Sequence, residues 1–314
     1  MISLTTLTRT YENTCPVPSH AGTLRVRGAA TEVREGALTI RPVLVSEISQ
    51  FGAEVSGVDW SRPIPEQVVN QLIAIQDKYA VLIFRKTSLD NARHIAFSQQ
   101  LGKDLEVNPF FYGKQNDRVG ERFLWDRSKY ALLLSHGNPV KGGSWTHFAD
   151  TRRVYADLPQ AKKEELEGVV IEHDLQHSTR LASPEMYSNP LRHELASKPP
   201  AYHRLVQTAP DGRKTLYLAA HAKTVLGRSL EESQKLIWEL IDHCTQPKYV
   251  FSMEWLDAGD MVWWDNRQSM HRANPYTTSM TARDVRRSTV IDEGPLAYGV
   301  PDEEKRAAGW TPSA

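Results

Sequence analysis

The densest β signal in the chain lies between residues 249 and 291, and it constrains the fold more than any other stretch. Residues 249–255 form a β-rich run, DAGD a turn, MVWWDN an aromatic strand, and RRSTVI from Arg286 a further strand. β-branched and aromatic residues bounded by Gly, Asp and Asn are strand material, so the C-terminal third reads as mostly sheet. Within it, GDMVWWDNRQSMHRANPY delivers His271 from a turn and an aromatic strand, and Arg283, Arg286 and Arg287 follow on the next strand. A histidine and several guanidinium groups would then share one cavity. In a β-barrel, imidazole can hold a metal while a guanidinium fork binds a carboxylate through two parallel hydrogen bonds. The plainer alternative is a packed histidine beside surface arginines.

The remainder alternates short strands and short helices. Residues 1–37 are polar and poorly patterned, and ALTIRPV and FGAEVSGVDW then give short apolar runs, so structure is expected to start near Leu38. Val68, Val69, Leu72, Ile73 and Ile75 recur at helical spacing from Glu66 to Tyr79, and AVLIFR from Ala80 reads as a buried strand. Ser88 is the expected cap of a second helix that ends at Gly102 in a left-handed conformation. Short helices are expected over 151–158, 159–166 and 229–243, the last capped by Ser229. No interior Gly/Ser linker or repeat divides the chain, so 38–301 is one domain and 302–314, charged and rich in small residues, an exposed tail.

Composition narrows the partners. The 38 Lys and Arg balance 38 Asp and Glu, which gives no concentrated basic surface for nucleic acid and no polybasic patch for a membrane. No apolar stretch of membrane-spanning length occurs, and the first residues, MISLTTLTRTYENT, carry neither a basic region nor an apolar run. Cys15 and Cys244 are the only cysteines, too few for a disulfide framework or a thiolate metal site. A cytoplasmic protein with a small-molecule or protein partner is expected.

FGAEVSGVDWSRPI, AVLIFR with its following helix, GGSWTHFADTRRVYADLP, VVIEHDLQHS, GRKTLYL and WWDNRQSMHRANPY with RRSTV together resemble the taurine dioxygenase and 2,4-dichlorophenoxyacetate dioxygenase family, in order over most of 41–292. The resemblance implies an α+β protein with a mainly β core, a double-stranded β-helix or jelly roll with flanking helices. It implies an iron(II) dioxygenase that uses 2-oxoglutarate as cosubstrate, its iron held by a His-x-Asp pair and a distal His. On that basis His271 matches the distal iron ligand, and Arg283, twelve residues later, the arginine of 2-oxoglutarate. Arg287 matches the position that grips the substrate's acidic group. Thr146 matches a threonine that helps bind 2-oxoglutarate, although two residues, Ser144 and Trp145, separate it from the Gly142-Gly143 pair where relatives have one.

Asn108, in LEVNPF, falls where taurine dioxygenase has a substrate-contacting histidine. Asparagine brings no positive charge, which favours a carboxylate or an amino acid over a sulfonate; a surface turn is the alternative. The implied reaction is hydrogen abstraction from a small carboxylate-bearing substrate, ending in hydroxylation, desaturation or ring closure, with release of succinate and CO2. Self-association into a homo-oligomer is also implied, as it is common in the family.

One departure matters. The His-x-Asp pair is missing: Phe123-Leu124-Trp125-Asp126 runs directly into Arg127-Ser128-Lys129-Tyr130, and only 33 residues separate Asn108 from Gly142. A loop and strand on the order of 20–40 residues are absent relative to the family. Three accounts compete: a segment the protein carries but this sequence lacks, an iron-free pseudoenzyme that binds a dicarboxylate, or substitute ligands such as His147 with Asp150. Deleting a core strand would open an unpaired edge and remove buried side chains, which favours the first. His173 and His177 have helical metal-ligand spacing but match a family strand and loop, so they read as packing. His136, His203 and His221 carry no assigned role. Trp263 and Trp264 read as barrel core, with one of them a candidate for the pocket wall.

Overall fold

Four consecutive apolar residues, VLIF at 81–84, suit a strand covered on both faces, and in the computed structural model of the chain all four are buried. The structure describes residues 31–46, 49–106, 128–137, 144–182, 200–273 and 283–311. The first half carries β1 (Val33–Glu35), β2 (Leu38–Ser46), β3 (Ser49–Ser56), α1 (Glu66–Tyr79), β4 (Val81–Phe84), α2 (Asn91–Gln99), β5 (Ser128–Gly137), β6 (Trp145–Asp150) and α3 (Thr151–Ala156). It continues with α4 (Gln160–Leu166), β7 (Val170–His173), α5 (Leu175–Ala182), β8 (Ala201–Arg204), β9 (Val206–Thr208), β10 (Lys214–Leu216) and β11 (Ala222–Val225). The last part holds α6 (Leu230–Cys244), β12 (Val250–Glu254), β13 (Met261–Asp265), β14 (Ser269–Ala273), β15 (Asp284–Ile291) and α7 (Asp302–Ala307).

Several sheets make a mixed α/β architecture. A seven-stranded sheet runs β1-β2-β3-β4-β13-β5-β15, and a three-stranded sheet runs β12-β6-β14. Alternation along β13 decides how they stack. Met261 and Trp263 face a core that α1 and α2 cover, with Leu132, Phe84 and Phe97. Val262 and Trp264 face the other way, against Phe148, Phe251 and Met253 of the three-stranded sheet. Full burial of each such side chain contributes roughly 1.5–3 kcal/mol, so this seam between sheets is a principal source of stability. A third core joins α3, α4 and α6 to the smaller sheets β11-β7-β8 and β10-β9 through Val154, Leu166, Ile171, Leu216 and Leu236.

The structure revises several local expectations. Asp90, not Ser88, caps α2, its carboxylate accepting the Arg93 backbone N–H at 2.8 Å. Gly102 is not in the left-handed region; α2 ends at Gln99, and the glycine is needed because a Cβ there would sit 2.4 Å from Val290 Cγ1. A short strand, β1, precedes Leu38 and pairs with β2. Leu175–Ala182 is a helix rather than a loop, started by Asp174, whose Oδ1 accepts the Gln176 N–H at 2.9 Å and the His177 N–H at 3.3 Å.

The segment expected as an exposed tail carries α7, none of whose residues is buried, and its side chains reach back to the body of the protein over 302–311. Glu304 accepts two hydrogen bonds from the Arg204 guanidinium, and Lys305 Nζ lies 5.0 Å from the Tyr202 ring centre and 5.4 Å from that of Trp310. Gly227 and Gly309, both at positive φ, let the two backbones meet, since a Cβ on Gly309 would be 2.8 Å from Gly227 Cα. Among the described residues, no helix is long and apolar enough to cross a membrane.

Candidate active site

The three-stranded sheet sets out the site in cross-strand rows. In one row Phe251, Phe148 and His271 lie side by side; in the next, Met253, Thr146 and Ala273. Directly opposite residues share a face, and so do residues two apart on a strand. Phe148, Phe251 and Met253 are buried against the large sheet, so His271 and Thr146 face inward as well. Trp145 and His147 take the other side.

His271 packs against the seam. Its ring centre is 4.7 Å from that of Trp264 and 6.5 Å from that of Phe148. Solvent reaches it from the free side of β14, which pairs only with β6 among the described residues. The surrounding protein nonetheless pushes its pKa down to about 4, and the Arg287 guanidinium and His221 add to the effect. His271 is therefore a neutral imidazole at physiological pH, the form that can ligate a metal or accept a hydrogen bond.

Thr146 and Arg283 meet around Trp255. The buried Trp255 donates its indole N–H to Thr146 Oγ1 at 3.0 Å, and the Arg283 guanidinium carbon stands 5.8 Å from the ring centre. Thr146 thus faces the inner side of the sheet. Arg287 lies opposite Leu133 and shares the inner face with Val262 and Trp264. Arg286 points outward and is paired with Asp284 at 2.8 Å. Thus Arg287 of β15 lies on the inner face and Arg283, just ahead of the strand, lies over Trp255, while Arg286 faces the other way. Asn108 and the Gly142-Gly143 pair lie outside the described residues.

His147 and Asp150 do not form a ligand pair. His147 Nδ1 lies 2.6 Å from Ser252 Oγ on the outer face. Asp150 starts α3, its Oδ1 accepting from the Arg152 N–H at 3.2 Å and from Arg152 Nε at 3.0 Å. Among the described residues no three His, Cys, Asp or Glu side chains converge as a metal site. His271 is the one expected ligand the structure describes.

Sequence reasoning gave His221 no role and did not separate Trp264 from Trp263. His221 belongs to a ring cluster with His173, centres 5.1 Å apart, and His203 and Tyr217 lie 5.8 and 5.4 Å from His173. Burial pushes His221 down to about 4 and His173 well below its ordinary value, so both stay uncharged. Neither position has a periodicity that could reveal it, because the contacts join strands far apart in sequence.

Comparison with known proteins places the chain in a family. Residues 41–289 match the family described as taurine catabolism dioxygenase TauD, TfdA. An alpha-ketoglutarate-dependent 2,4-dichlorophenoxyacetate dioxygenase of Burkholderia sp. (strain RASC) is 34% identical over 251 residues, 68% of this chain and 82% of that protein. An alpha-ketoglutarate-dependent sulfate ester dioxygenase of Pseudomonas putida is 28% identical over 282 residues, 82% of this chain and 91% of that one. The crystal structure of AAD-2 in complex with Mn(II) and N-oxalylglycine superposes with a TM-score of 0.69 at 31% identity, covering 82% of this chain and 98% of that one. The chain belongs to the TauD/TfdA family of iron(II)- and 2-oxoglutarate-dependent dioxygenases.

Proposed function

We propose that this chain is the oxygenase of a small carboxylate-bearing molecule, built on the double-stranded β-helix of its family, with two acid-binding positions on one wall. The observation that carries the reading is the convergence of Thr146, Trp255 and Arg283 at one end of the inner face, with His271 and Arg287 further along it. Arg283 donates a guanidinium fork to the distal carboxylate of 2-oxoglutarate, and the Thr146 hydroxyl, fixed by Trp255, gives it a second polar contact. Arg287 holds the acid group of the substrate. Trp264 and Phe148 form an apolar wall beside His271 and keep water from that side. Hydroxylation, desaturation and ring closure all fit this arrangement, each with succinate and CO2 as coproducts of 2-oxoglutarate.

Iron does not fit the described residues alone. They offer one imidazole where the family uses three ligands, and the sequence contains no His-x-Asp. Two readings follow. Among the described residues β14 pairs only with β6, so a further strand fits beside His271; this supports a protein that carries a ligand segment between Trp125 and Arg127 beyond the residues of this sequence. The second reading, an iron-free protein that binds a dicarboxylate at Arg283, is favoured by the missing pair itself.

One experiment separates them: intact mass of the purified protein, followed by succinate release with iron(II), 2-oxoglutarate, oxygen and a panel of small acids. A mass about 3–4 kDa above 35.5 kDa, the weight of some 30–40 residues of loop and strand, together with substrate-dependent succinate, is the expected result. A mass of 35.5 kDa with 2-oxoglutarate binding but no succinate would replace the oxygenase by the binding protein.

A further inference from the structure

A carboxylate stands beside Arg287. Leu105 bridges Val290 across the outer edge of β15, the Glu106 N–H donates to the Thr289 carbonyl at 2.8 Å, and the Ile291 N–H donates to the Asp104 carbonyl at 3.1 Å. This antiparallel pairing sets Glu106 opposite Thr289. Opposite residues share a face, and Thr289 and Arg287 are two apart on one strand, so all three line the same side. It is the inner side, since Thr289 and Arg287 lie opposite Ala131 and Leu133, which pack into the seam between the sheets. Leu105 points the other way, into the core beneath α2.

Glu106 and Arg287 are thus diagonal neighbours across a ladder, with backbones about 7–8 Å apart, a distance that long side chains span. Their charges act on each other. Burial pushes the Glu106 carboxyl up, while Arg287 and a hydrogen bond from Ser128 hold it down. Arg287 shares a cross-strand row with Leu133 and Val262, and Trp264, two residues along on the same face, packs 4.7 Å from the His271 ring, so Glu106, Arg287 and His271 border one inner face.

A wall with a cation and an anion side by side suits a plain acid poorly, because the carboxylate that Arg287 attracts is repelled by Glu106. It suits a head group that carries both signs. We infer that Glu106 and Arg287 form a pair that recognises a zwitterion, Arg287 taking the carboxylate of the substrate and Glu106 its ammonium, so that the substrate class is α-amino acids rather than plain carboxylic acids. The inference rests on the proposed role of Arg287 as anchor of the substrate's acid. Glu106 adds a specificity-determining residue that neither the sequence pattern nor the named relatives assign.

The test uses the full chain, saturated with 2-oxoglutarate, and two probes that differ only in the ammonium group, L-norleucine and hexanoate, titrated calorimetrically. Norleucine is expected to bind about tenfold tighter, the order of one unit charge at this distance in a partly screened site. Glu106→Gln is expected to erase that ratio and to strengthen hexanoate severalfold, while Arg287→Ala weakens both probes. Equal binding of the two probes, a preference for hexanoate, or an unchanged ratio in Glu106→Gln overturns the zwitterion pair alone. Binding of neither probe, or indifference of both to Arg287→Ala, overturns the pair and the anchor role together. The wild-type ratio decides the matter even if a variant fails to fold.

Discussion

Arg283 and Arg287 stand four residues apart, Arg283 just ahead of β15 and Arg287 within it, with a register shift between Asp284 and Val285 separating them. Their surroundings differ accordingly. Arg283 leans over Trp255 next to the Thr146 hydroxyl, whereas Arg287 shares its field with His271 and Glu106. Two acids can therefore be held at once, which a reaction with two acidic substrates requires. Arg283→Ala should weaken 2-oxoglutarate binding by about 10- to 100-fold, the worth of charge-assisted hydrogen bonds of 1.5–3 kcal/mol. Arg287→Ala should leave that affinity unchanged and raise the apparent constant for the acidic substrate instead. Titration of both variants with 2-oxoglutarate checks the assignment; the reverse pattern would exchange the two roles.

Among the elements, those set by local chemistry were legible in the sequence. Helix α6 begins where Ser229 invites it, in a reciprocal box in which the Ser229 hydroxyl accepts the Glu232 N–H at 3.2 Å and Glu232 accepts the Ser229 N–H at 3.0 Å. Ser229→Ala should cost about 1 kcal/mol in urea unfolding; no measurable loss would mean that tertiary packing of Leu236 and Leu240, not the cap, fixes this end. Strands β13 and β15 were equally legible as strands from their aromatic and β-branched residues, but not their faces, since β13 is buried on both. What the sequence could not give came from contacts between distant strands. Gly102 looked like a helix stop and is instead a space for Val290. The tail reads as exposed, and none of α7 is buried, but its contacts could not be read: Arg204 and Tyr202, a hundred residues away, hold Glu304 and Lys305. At the site the same division holds. A turn and an aromatic strand announced His271, and RRSTV announced Arg287, whereas Glu106 joins them only through the register of an edge bridge, and Trp255 and Trp264 only through packing across the seam.

On the scale of the whole molecule, the buried imidazoles tie stability to pH. His94 is 3% exposed, hydrogen-bonded to Ser288 at 3.2 Å, and burial, with His136 nearby, pushes its pKa from 6.5 down to about 4. Burial holds His221 at about 4 against the opposing charge of Asp174, and burial together with His221 and His203 holds His173 well below its ordinary value. In the unfolded chain these groups take up protons near 6.5, while in the fold they remain neutral. The unfolded state thus binds more protons between pH 6.5 and 4, so the stability present above the unfolded value is lost as pH falls through this window. One group shifted as far as His94 accounts for at most about 3 kcal/mol, of which about 2 is already lost by pH 5. Asp77 and Glu106, whose carboxyls burial raises from 3.8 and 4.5, act in the opposite sense, because the folded state takes up their protons before the unfolded chain does as pH falls. Urea unfolding at pH 7.5 and pH 5.0 should show a loss of several kcal/mol, and His94→Gln should shrink the difference by about 2 kcal/mol even if it lowers stability at both values. A wild-type stability that is flat across this range would mean that these imidazoles are solvated, and with them the packed layer behind the His271 wall.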